Sequence, residues 1–215
     1  MRTRVKICGI TRVDDGLAAA NAGADAIGMQ FWPGTPRRVA IENARAIATR
    51  LPPFVMRVGL FVNPTSAEVQ SVLDEVPLDV LQFHGHEPAD LCRAFERPYL
   101  KAFAVESASD LLESLSAYGD AAAWLFDSPP RDGRPGGTGH TFDWSRLPAK
   151  LARPLVLAGG LNKANVADAI RRLRPWAVDV SSGVEALDAD GRAKPGIKDA
   201  QRIAAFIEEV RHADV

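Results

Sequence analysis

The sequence contains few cysteines and no long apolar run. Cys8 and Cys92 are too few for a disulfide framework, and no window approaches ~18 uncharged apolar residues, so we expect no transmembrane helix. The amino terminus has charges but no apolar segment after them, which argues against a signal peptide. His84 and His86 form one candidate metal pair without further ligands nearby, so we predict no metal site. These absences favour a reduced, cytoplasmic protein.

The chain also lacks an excess of charge of either sign. Its 26 Lys and Arg residues oppose 27 Asp and Glu residues, and the formal net charge is -1. Because the basic residues are dispersed, we expect no binding to nucleic acid or to an anionic membrane. Internal repeats and low-complexity tracts are absent, and 47% of the 215 residues are hydrophobic. We therefore predict one globular domain over residues 1–215.

Short apolar runs alternate with longer segments of helical periodicity along the whole chain. Such alternation predicts parallel strands joined by right-handed helical crossovers. An open doubly wound sheet is one solution, but eight units without a second domain favour an α/β fold of the (β/α)8 TIM barrel type. The eight predicted strands are Val5–Ile10, Ala26–Phe31, Phe54–Phe61, Val80–Phe83, Tyr99–Phe103, Ala122–Phe126, Leu155–Ala158 and Ala177–Val180.

Polar residues interrupt these runs toward their carboxyl ends. Alternation along a strand places Lys6 and Cys8 on one face of the first strand, and Gln82 on the same face as His84 in the fourth. Asp127 follows the sixth strand and Asp179 lies on the eighth. In a barrel these groups would point inward at the end where active sites of this fold lie. A purely structural ion pair is an equally good interpretation for Lys6 and Asp179 alone.

Glycine-rich turns follow the last two predicted strands. Gly159 and Gly160 end the seventh strand, and Ser182 and Gly183 follow the eighth. The loops after strands 7 and 8 are the usual phosphate site of this barrel, because glycine lets main-chain N–H groups approach an anion. A turn without a ligand is the simpler alternative for a single Gly-Gly pair. Two such loops on adjacent strands favour a phosphate site.

The motifs, taken in order, resemble those of the phosphoribosylanthranilate isomerase family over nearly the full length. The resemblance is carried by Lys6-Ile-Cys-Gly-Ile-Thr11, Phe31-Trp-Pro-Gly-Thr-Pro-Arg-Arg-Val39, Val58-Gly-Leu-Phe61, Gln82-Phe-His-Gly85, Asp127, Gly136-Gly-Thr-Gly139 with Phe142-Asp-Trp144, Leu157-Ala-Gly-Gly160, Val180-Ser-Ser-Gly-Val-Glu185 and Pro195-Gly-Ile-Lys-Asp199. Two departures are mild. Phe83 stands where the family more often has Leu, and Thr35 stands where it has Ser.

The resemblance implies a cofactor-free Amadori rearrangement of a phosphorylated aminoaldose in tryptophan biosynthesis. It assigns the general base to Cys8 and the general acid to Asp127. Arg37 matches the arginine that meets the anthranilate carboxylate, for which a guanidinium fork is suited. Lys6, His84 and Asp179 would line the substrate site, although His84 is equally well explained as a histidine hydrogen-bonded inside the barrel. The loop Gly136–Gly139 would close over the sugar.

Two rival functions stay open on the sequence alone. The aminoaldose isomerase of histidine biosynthesis performs the same type of reaction on the same barrel, but it carries an aspartate where this chain has Cys8 and shows a half-barrel repeat. A non-catalytic barrel that binds a phosphorylated ligand is the second alternative, and it would be expected to lack Cys8 or Asp127. For the oligomeric state we predict a monomer or a homodimer.

Overall fold

Eight parallel strands form a closed ring, with β8 paired to β1. The computed structural model describes residues 2–105, 114–129, 141–148 and 150–214. Every neighbouring pair of strands in the ring is parallel, which confirms the predicted (β/α)8 barrel. The strands are β1 Arg4–Cys8, β2 Ala26–Gln30, β3 Met56–Phe61, β4 Val80–Phe83, β5 Tyr99–Ala104, β6 Ala123–Asp127, β7 Leu155–Leu157 and β8 Ala177–Val180.

Helices lie outside the ring and connect successive strands. They are α1 Val13–Ala22, α2 Ile41–Arg50, α3 Ser66–Glu75, α4 Ala89–Arg93, α5 Val166–Leu173 and α6 Ala200–Ala213, with short 3-10 helices at Trp144–Arg146 and Ser182–Val184. Residues 114–116, between β5 and β6, are also helical. Within the described ranges, no helix combines the length and apolar character needed to cross a bilayer. After β8 the chain forms an antiparallel hairpin of β9 Glu185–Leu187 and β10 Ala193–Lys198 before α6.

Strand alternation divides the apolar residues into two layers. Small and branched residues of β5, β6 and β7, such as Ala102, Leu125 and Val156, form a separate cluster inside the ring. A larger cluster fills the space between the ring and the helices. Phe83 stands between the inward positions Gln82 and His84, so parity predicts that it points outward. It lies in this outer layer, and its ring is tilted against that of Phe61 at 6.3 Å. The inner cluster mixes alanines with larger side chains, and its alanines, such as Ala102 and Ala158, leave room for polar side chains near the mouth.

The predictions for β1 and β3 each extend two residues beyond the observed strand, and the other strand ends agree within one residue. β3 begins at Met56 and not at Phe54, because Phe54 has a left-handed backbone (φ 71°) and is 98% exposed. β1 ends at Cys8 and not at Ile10, because Gly9 turns the chain with a φ of 74°. Glycine adopts this conformation at little cost, so the turn can follow Cys8 directly.

The sequence predicts a capping box of Thr65 and Glu68 and N-caps at Thr11 and Asn162. The first prediction is confirmed and the other two are wrong. Thr65 and Glu68 form the predicted capping box at the start of α3. Thr11 does not cap α1, whose N-cap is Arg12, because its hydroxyl donates to the carbonyl of Gly196 instead. Asn162 accepts a hydrogen bond from Ala164 N in the turn before α5, and the N-cap of that helix is Asn165.

Cys92 lies within Asp90–Phe95, a stretch of helical periodicity, which predicts a buried structural thiol; the structure agrees. It lies in α4 and is fully buried. Burial raises the pKa of this thiol to about 12, so it remains protonated at neutral pH. Among the two cysteines, only Cys8 therefore lies where a thiol could react with a ligand.

Substituting Thr65→Ala removes one half of the capping box and should destabilise the protein by about 1 kcal/mol, measured by urea unfolding. Thr49→Ala is the matched control, because the exposed Thr49 hydroxyl bonds only to carbonyls of its own helix. That substitution should change stability by a few tenths of a kcal/mol at most, since alanine has the higher helix propensity. Equal effects of the two substitutions would contradict the capping role.

Candidate active site

The seam at which the barrel closes carries a buried ion pair. Lys6 of β1 and Asp179 of β8 are register partners, and Lys6 Nζ lies 2.8 Å from Asp179 Oδ2. Burial by itself lowers the pKa of Lys6, but the charge of Asp179 and the sulfur of Cys8 outweigh burial, and the net shift is upward. The other carboxylate oxygen, Asp179 Oδ1, is buried without a partner among the described residues. The pair is therefore an ammonium with a carboxylate that can still accept a hydrogen bond.

Cys8 occupies the last position of β1, on the same inward face as Lys6. The amide Nε2 of Gln30 lies 3.8 Å from its sulfur, within range of a weak hydrogen bond. Gly28 is the register partner of Cys8 on β2, and a Cβ at this position would lie 2.9 Å from Cys8 Sγ and 3.1 Å from Lys6 Nζ. Glycine at position 28 thus makes the space in which thiol and ammonium meet.

A chain of side chains connects β4 to β6 across the mouth. Gln82 Nε2 lies 3.0 Å from His84 Nδ1, and His84 Nε2 lies 3.2 Å from Asp127 Oδ2. When the Gln82 amide donates to Nδ1, the neutral ring carries its proton on Nε2, facing the carboxyl group of Asp127. Gln82 is fully buried, so it holds the ring orientation from below. Both interpretations of His84, as a site residue and as a histidine hydrogen-bonded inside the barrel, are compatible with this position.

Asp127 is buried at the end of β6 and is held from the side of β7 as well. The N–H of Ser128 donates to Asp127 Oδ1 at 2.7 Å. Gly159 packs so closely on this corner that a Cβ would lie 3.0 Å from Asp127 Oδ1 and would overlap the Ser128 hydroxyl. Gly159 also has a φ of 83°. A side chain at position 159 would therefore displace the carboxyl group.

The two glycine turns after β7 and β8 contact each other. A Cβ on Gly183 would overlap the carbonyl oxygen of Leu161, so this glycine permits the close approach of the two loops. Gly160 has a φ of 63°, and both it and Ser182 line the pocket at the mouth. In the described ranges, the N–H groups of Gly159 and Gly160 donate to no acceptor. Free main-chain N–H groups in a glycine turn can bind a phosphate group.

Arg37, on the loop after β2, extends past the end of β1 to contact Glu185, which lies after β8. Its Nε and Nη2 bond to Glu185 Oε1 and Oε2 at 2.7 and 2.8 Å. Its main-chain N–H donates to the hydroxyl of Thr35 at 3.1 Å. The guanidinium still lines the pocket that contains Cys8 and Asp127.

These side chains share one pocket at the carboxyl ends of the strands. Its lining includes most of the sequence-predicted site residues: Cys8, Arg37, His84, Asp127, Gly159, Gly160, Asp179 and Ser182. Lys6 does not line the pocket but pairs with Asp179, which does. Gly183 packs against the carbonyl oxygen of Leu161, between the two glycine turns. The predicted lid Gly136–Gly139 lies outside the described residues. Sequence analysis thus identified residues that the fold brings together.

A larger, more open hollow lies at the opposite end of the barrel. Leucine and arginine side chains line most of it, including Leu151, Arg153 and Arg172, together with Trp176. Its acidic residue, Asp214, already accepts hydrogen bonds from Thr3. No cysteine or histidine among the described residues lines this hollow, so the smaller pocket at the carboxyl ends is the better candidate for catalysis.

Three residues near the pocket were not selected by sequence reasoning. Gln30 could have been found, because the parity that gives Ala26 and Gly28 an inward position gives the same to Gln30. Glu185 and Lys198 lie in motifs that resemble those of the family. No local pattern shows, however, that the hairpin after β8 packs against the loop after β2. Their contribution depends on long-range contacts that only the fold reveals.

The family model and the similar proteins found by comparison point to the same family. A family model described as "N-(5'phosphoribosyl)anthranilate (PRA) isomerase" matches residues 5–209. The chain is 55% identical over 208 residues to an N-(5'-phosphoribosyl)anthranilate isomerase of Pseudomonas paraeruginosa, covering 97% of this chain and 95% of that one.

Solved structures agree with this family. The crystal structure of phosphoribosyl anthranilate isomerase from Thermotoga maritima is 43% identical, with a TM-score of 0.86 over 98% of this chain and 99% of that one. A structure of such an isomerase in complex with reduced 1-(o-carboxyphenylamino)-1-deoxyribulose 5-phosphate is 40% identical, with a TM-score of 0.81 and the same coverage of both chains.

Asp179→Asn should destabilise the protein by about 3–5 kcal/mol in urea unfolding, because it leaves the Lys6 ammonium buried without a counter-charge. Asp79→Asn is the control, since its pair with Arg57 is about one-third exposed and should contribute about 1 kcal/mol or less. The pKa of Lys6 is raised, so the stabilisation is complete below its ordinary value of 10.5 and is lost as the pH rises through the folded-state value. Equal losses at neutral pH would contradict this role.

Proposed function

The chain belongs to the phosphoribosylanthranilate isomerase family, and we propose that it converts N-(5-phosphoribosyl)anthranilate to 1-(2-carboxyphenylamino)-1-deoxyribulose 5-phosphate without a metal or cofactor. The observation that carries the proposal is the convergence of Cys8 and Asp127 on one pocket beside two glycine turns. A thiol and a carboxyl group on opposite sides of a bound sugar are what an acid- and base-catalysed Amadori rearrangement requires. One domain over residues 1–215, in the cytoplasm, stays our prediction.

Asp127 acts in ring opening. Its carboxylic acid proton passes to the furanose ring oxygen while the bond from that oxygen to C1′ breaks. The lone pair of the anthranilate nitrogen then forms the C1′=N double bond of a protonated Schiff base. The contacts from Ser128 N and His84 fix the direction of the Asp127 carboxyl group, which supports this role.

Cys8 acts in the second half of the reaction. Its thiolate takes the proton from C2′, and the released electron pair forms the C1′=C2′ double bond while the C1′=N bond returns its electrons to nitrogen. The resulting enolamine becomes the ketone when O2′ loses a proton and C1′ gains one. Lys6 lies on the same inward face and interacts electrostatically with the Cys8 sulfur, so it would be the cation next to the base.

The remaining residues hold the substrate. The phosphate would bind to the free main-chain N–H groups of Gly159 and Gly160 and to the adjacent turn of Ser182 and Gly183. Asp179 Oδ1, which is buried without a described partner, would accept a hydrogen bond from a sugar hydroxyl. The anthranilate carboxylate would then extend toward Arg37.

The function is tested by supplying the purified protein with each of two aminoaldoses. We expect turnover of N-(5-phosphoribosyl)anthranilate, detected as the aminoketose by chromatography. Turnover of only the histidine-pathway aminoaldose would replace our proposal with the first rival, and ligand binding without any turnover would support the non-catalytic barrel. Light scattering on the same sample would distinguish a monomer from a homodimer.

Cys8→Ala and Asp127→Asn should each lower kcat by about 10²- to 10⁴-fold, because each removes a group that transfers a proton in a transition state. The Kd of the reduced product analogue should change little, since neither substitution removes a phosphate or carboxylate contact. Cys92→Ala is the control for loss of a buried thiol away from the pocket. Near-normal turnover by Cys8→Ala would show that the base is another group.

Removal of divalent metal should leave activity unchanged. Within the described residues, no group of three or more His, Cys, Asp or Glu side chains is arranged to hold a metal ion. We expect the same kcat after dialysis against a chelator and after addition of Mg²⁺ or Zn²⁺. Loss of activity with the chelator and recovery with one metal would contradict the proposed metal-free reaction.

A further inference from the structure

The hairpin after β8 brings two charged side chains beneath the mouth of the barrel. Glu185 begins β9, Lys198 ends β10, and the two are register partners. Glu185 and Lys198 are fully buried, and Lys198 Nζ lies 3.2 Å from Glu185 Oε1. The proposed chemistry uses neither residue, although Glu185 is bonded to Arg37.

We propose that Glu185 is a positioning residue that fixes the guanidinium of Arg37 for the carboxylate of the substrate, and so makes the enzyme selective for an aminoaldose that carries an aryl carboxylate. This inference rests on the proposed function, because it assumes that Arg37 meets that carboxylate.

The bonds between the two residues determine which way the guanidinium faces. Glu185 accepts from Nε and Nη2 of Arg37, a bidentate geometry that fixes the plane of the guanidinium. In the described part of the chain, Nη1 forms no hydrogen bond, so this nitrogen is left for a ligand. The stem of Arg37 lies over Gly9, where a Cβ would come within 2.9 Å of Arg37 Cδ. Glu185 at the guanidinium and Gly9 at Cδ therefore both restrict the conformation of the Arg37 side chain.

Glu185 is itself held in place by the hairpin. The N–H of Gly196 donates to Glu185 Oε1 at 2.8 Å, and Lys198 Nζ donates to the same oxygen. Lys198 Nζ also bonds to the carbonyl of Ser181 in the turn after β8, at 3.0 Å. One carboxylate thus connects the loop that carries Arg37 to the turn beside the proposed phosphate site.

The charges of the cluster leave a place for an anion. Arg37 contributes a positive charge and Glu185 a negative charge, whereas burial, against the charge of Glu185, lowers the pKa of Lys198. Burial opposes ionisation of Glu185, but bonds from Arg37 and the charge of Lys198 keep its pKa below the ordinary value. Asp15, which accepts from Lys198 N, is already paired with Arg12. With Lys198 protonated, the buried cluster has an excess of one positive charge, which a ligand carboxylate at Arg37 would neutralise.

Selectivity is measured as the ratio of two dissociation constants. The two ligands are the reduced product analogue and the same compound without its aryl carboxylate, with binding followed by calorimetry. In Glu185→Gln, the Kd of the carboxylated ligand should rise by about 10- to 100-fold, because the loss of a charge-assisted bidentate contact frees the guanidinium. The Kd of the decarboxylated ligand should remain close to that of the unsubstituted protein.

Glu87→Gln is the matched control. Glu87 is another fully buried glutamate, and it pairs with Lys101 at 2.9 Å in the outer layer of the barrel. Its substitution should lower the melting temperature as a buried-pair loss does, while the ratio of the two Kd values stays unchanged. A general effect of loosened packing would instead raise the Kd of both ligands in both variants.

Glu185→Asp decides the question if Glu185→Gln does not fold. Aspartate keeps the negative charge but is one methylene too short for the same fork, so it should reduce selectivity by a smaller factor. Selectivity retained by the folded Glu185 variants would overturn the positioning role and leave the isomerase function intact. An unsubstituted protein that binds both ligands equally and does not turn over N-(5-phosphoribosyl)anthranilate would overturn the proposed function itself.

Discussion

The ion pair between Lys6 and Asp179 is the contact on which the arrangement of the site depends. It joins the first and last strands of the ring at the same register, and thereby closes the sheet. Two charges buried in the inner wall are stable only as a pair, because an isolated charge there would pay a large desolvation penalty. The pair thus holds β1 and β8 in the register that brings Cys8 and Asp179 to the same pocket.

The same seam also arranges the chemistry around the sugar. Cys8 lies one inward position beyond Lys6 on β1, while Asp127 is held across the mouth by His84 and the Ser128 N–H. The base and the acid are therefore supported by separate contacts. Each can be removed without displacing the other, which is why single substitutions can resolve the two halves of the proposed reaction.

Strand alternation was the most informative feature of the sequence. Parity alone predicted that Lys6, Cys8, Gln82 and His84 point inward and that Phe83 points outward, because the period of a strand is fixed by its backbone geometry. The ends of strands were less predictable: hydrophobicity continues through Ile10, but the φ of Gly9 ends β1 earlier. The bonds of Arg37 to Glu185 could not be predicted, since 148 residues separate the two in the sequence. Proximity of that kind follows only from closure of the barrel.

A crystal structure of this protein with the reduced product analogue is the most direct test of the central claim. It should show Cys8 Sγ within about 3–4 Å of C2′ and the Asp127 carboxyl group on the other side of the sugar, next to the former ring oxygen. The phosphoryl group should lie on the turns after β7 and β8. An analogue bound with its phosphoryl group away from these turns, or with C2′ out of reach of Cys8, would contradict the account.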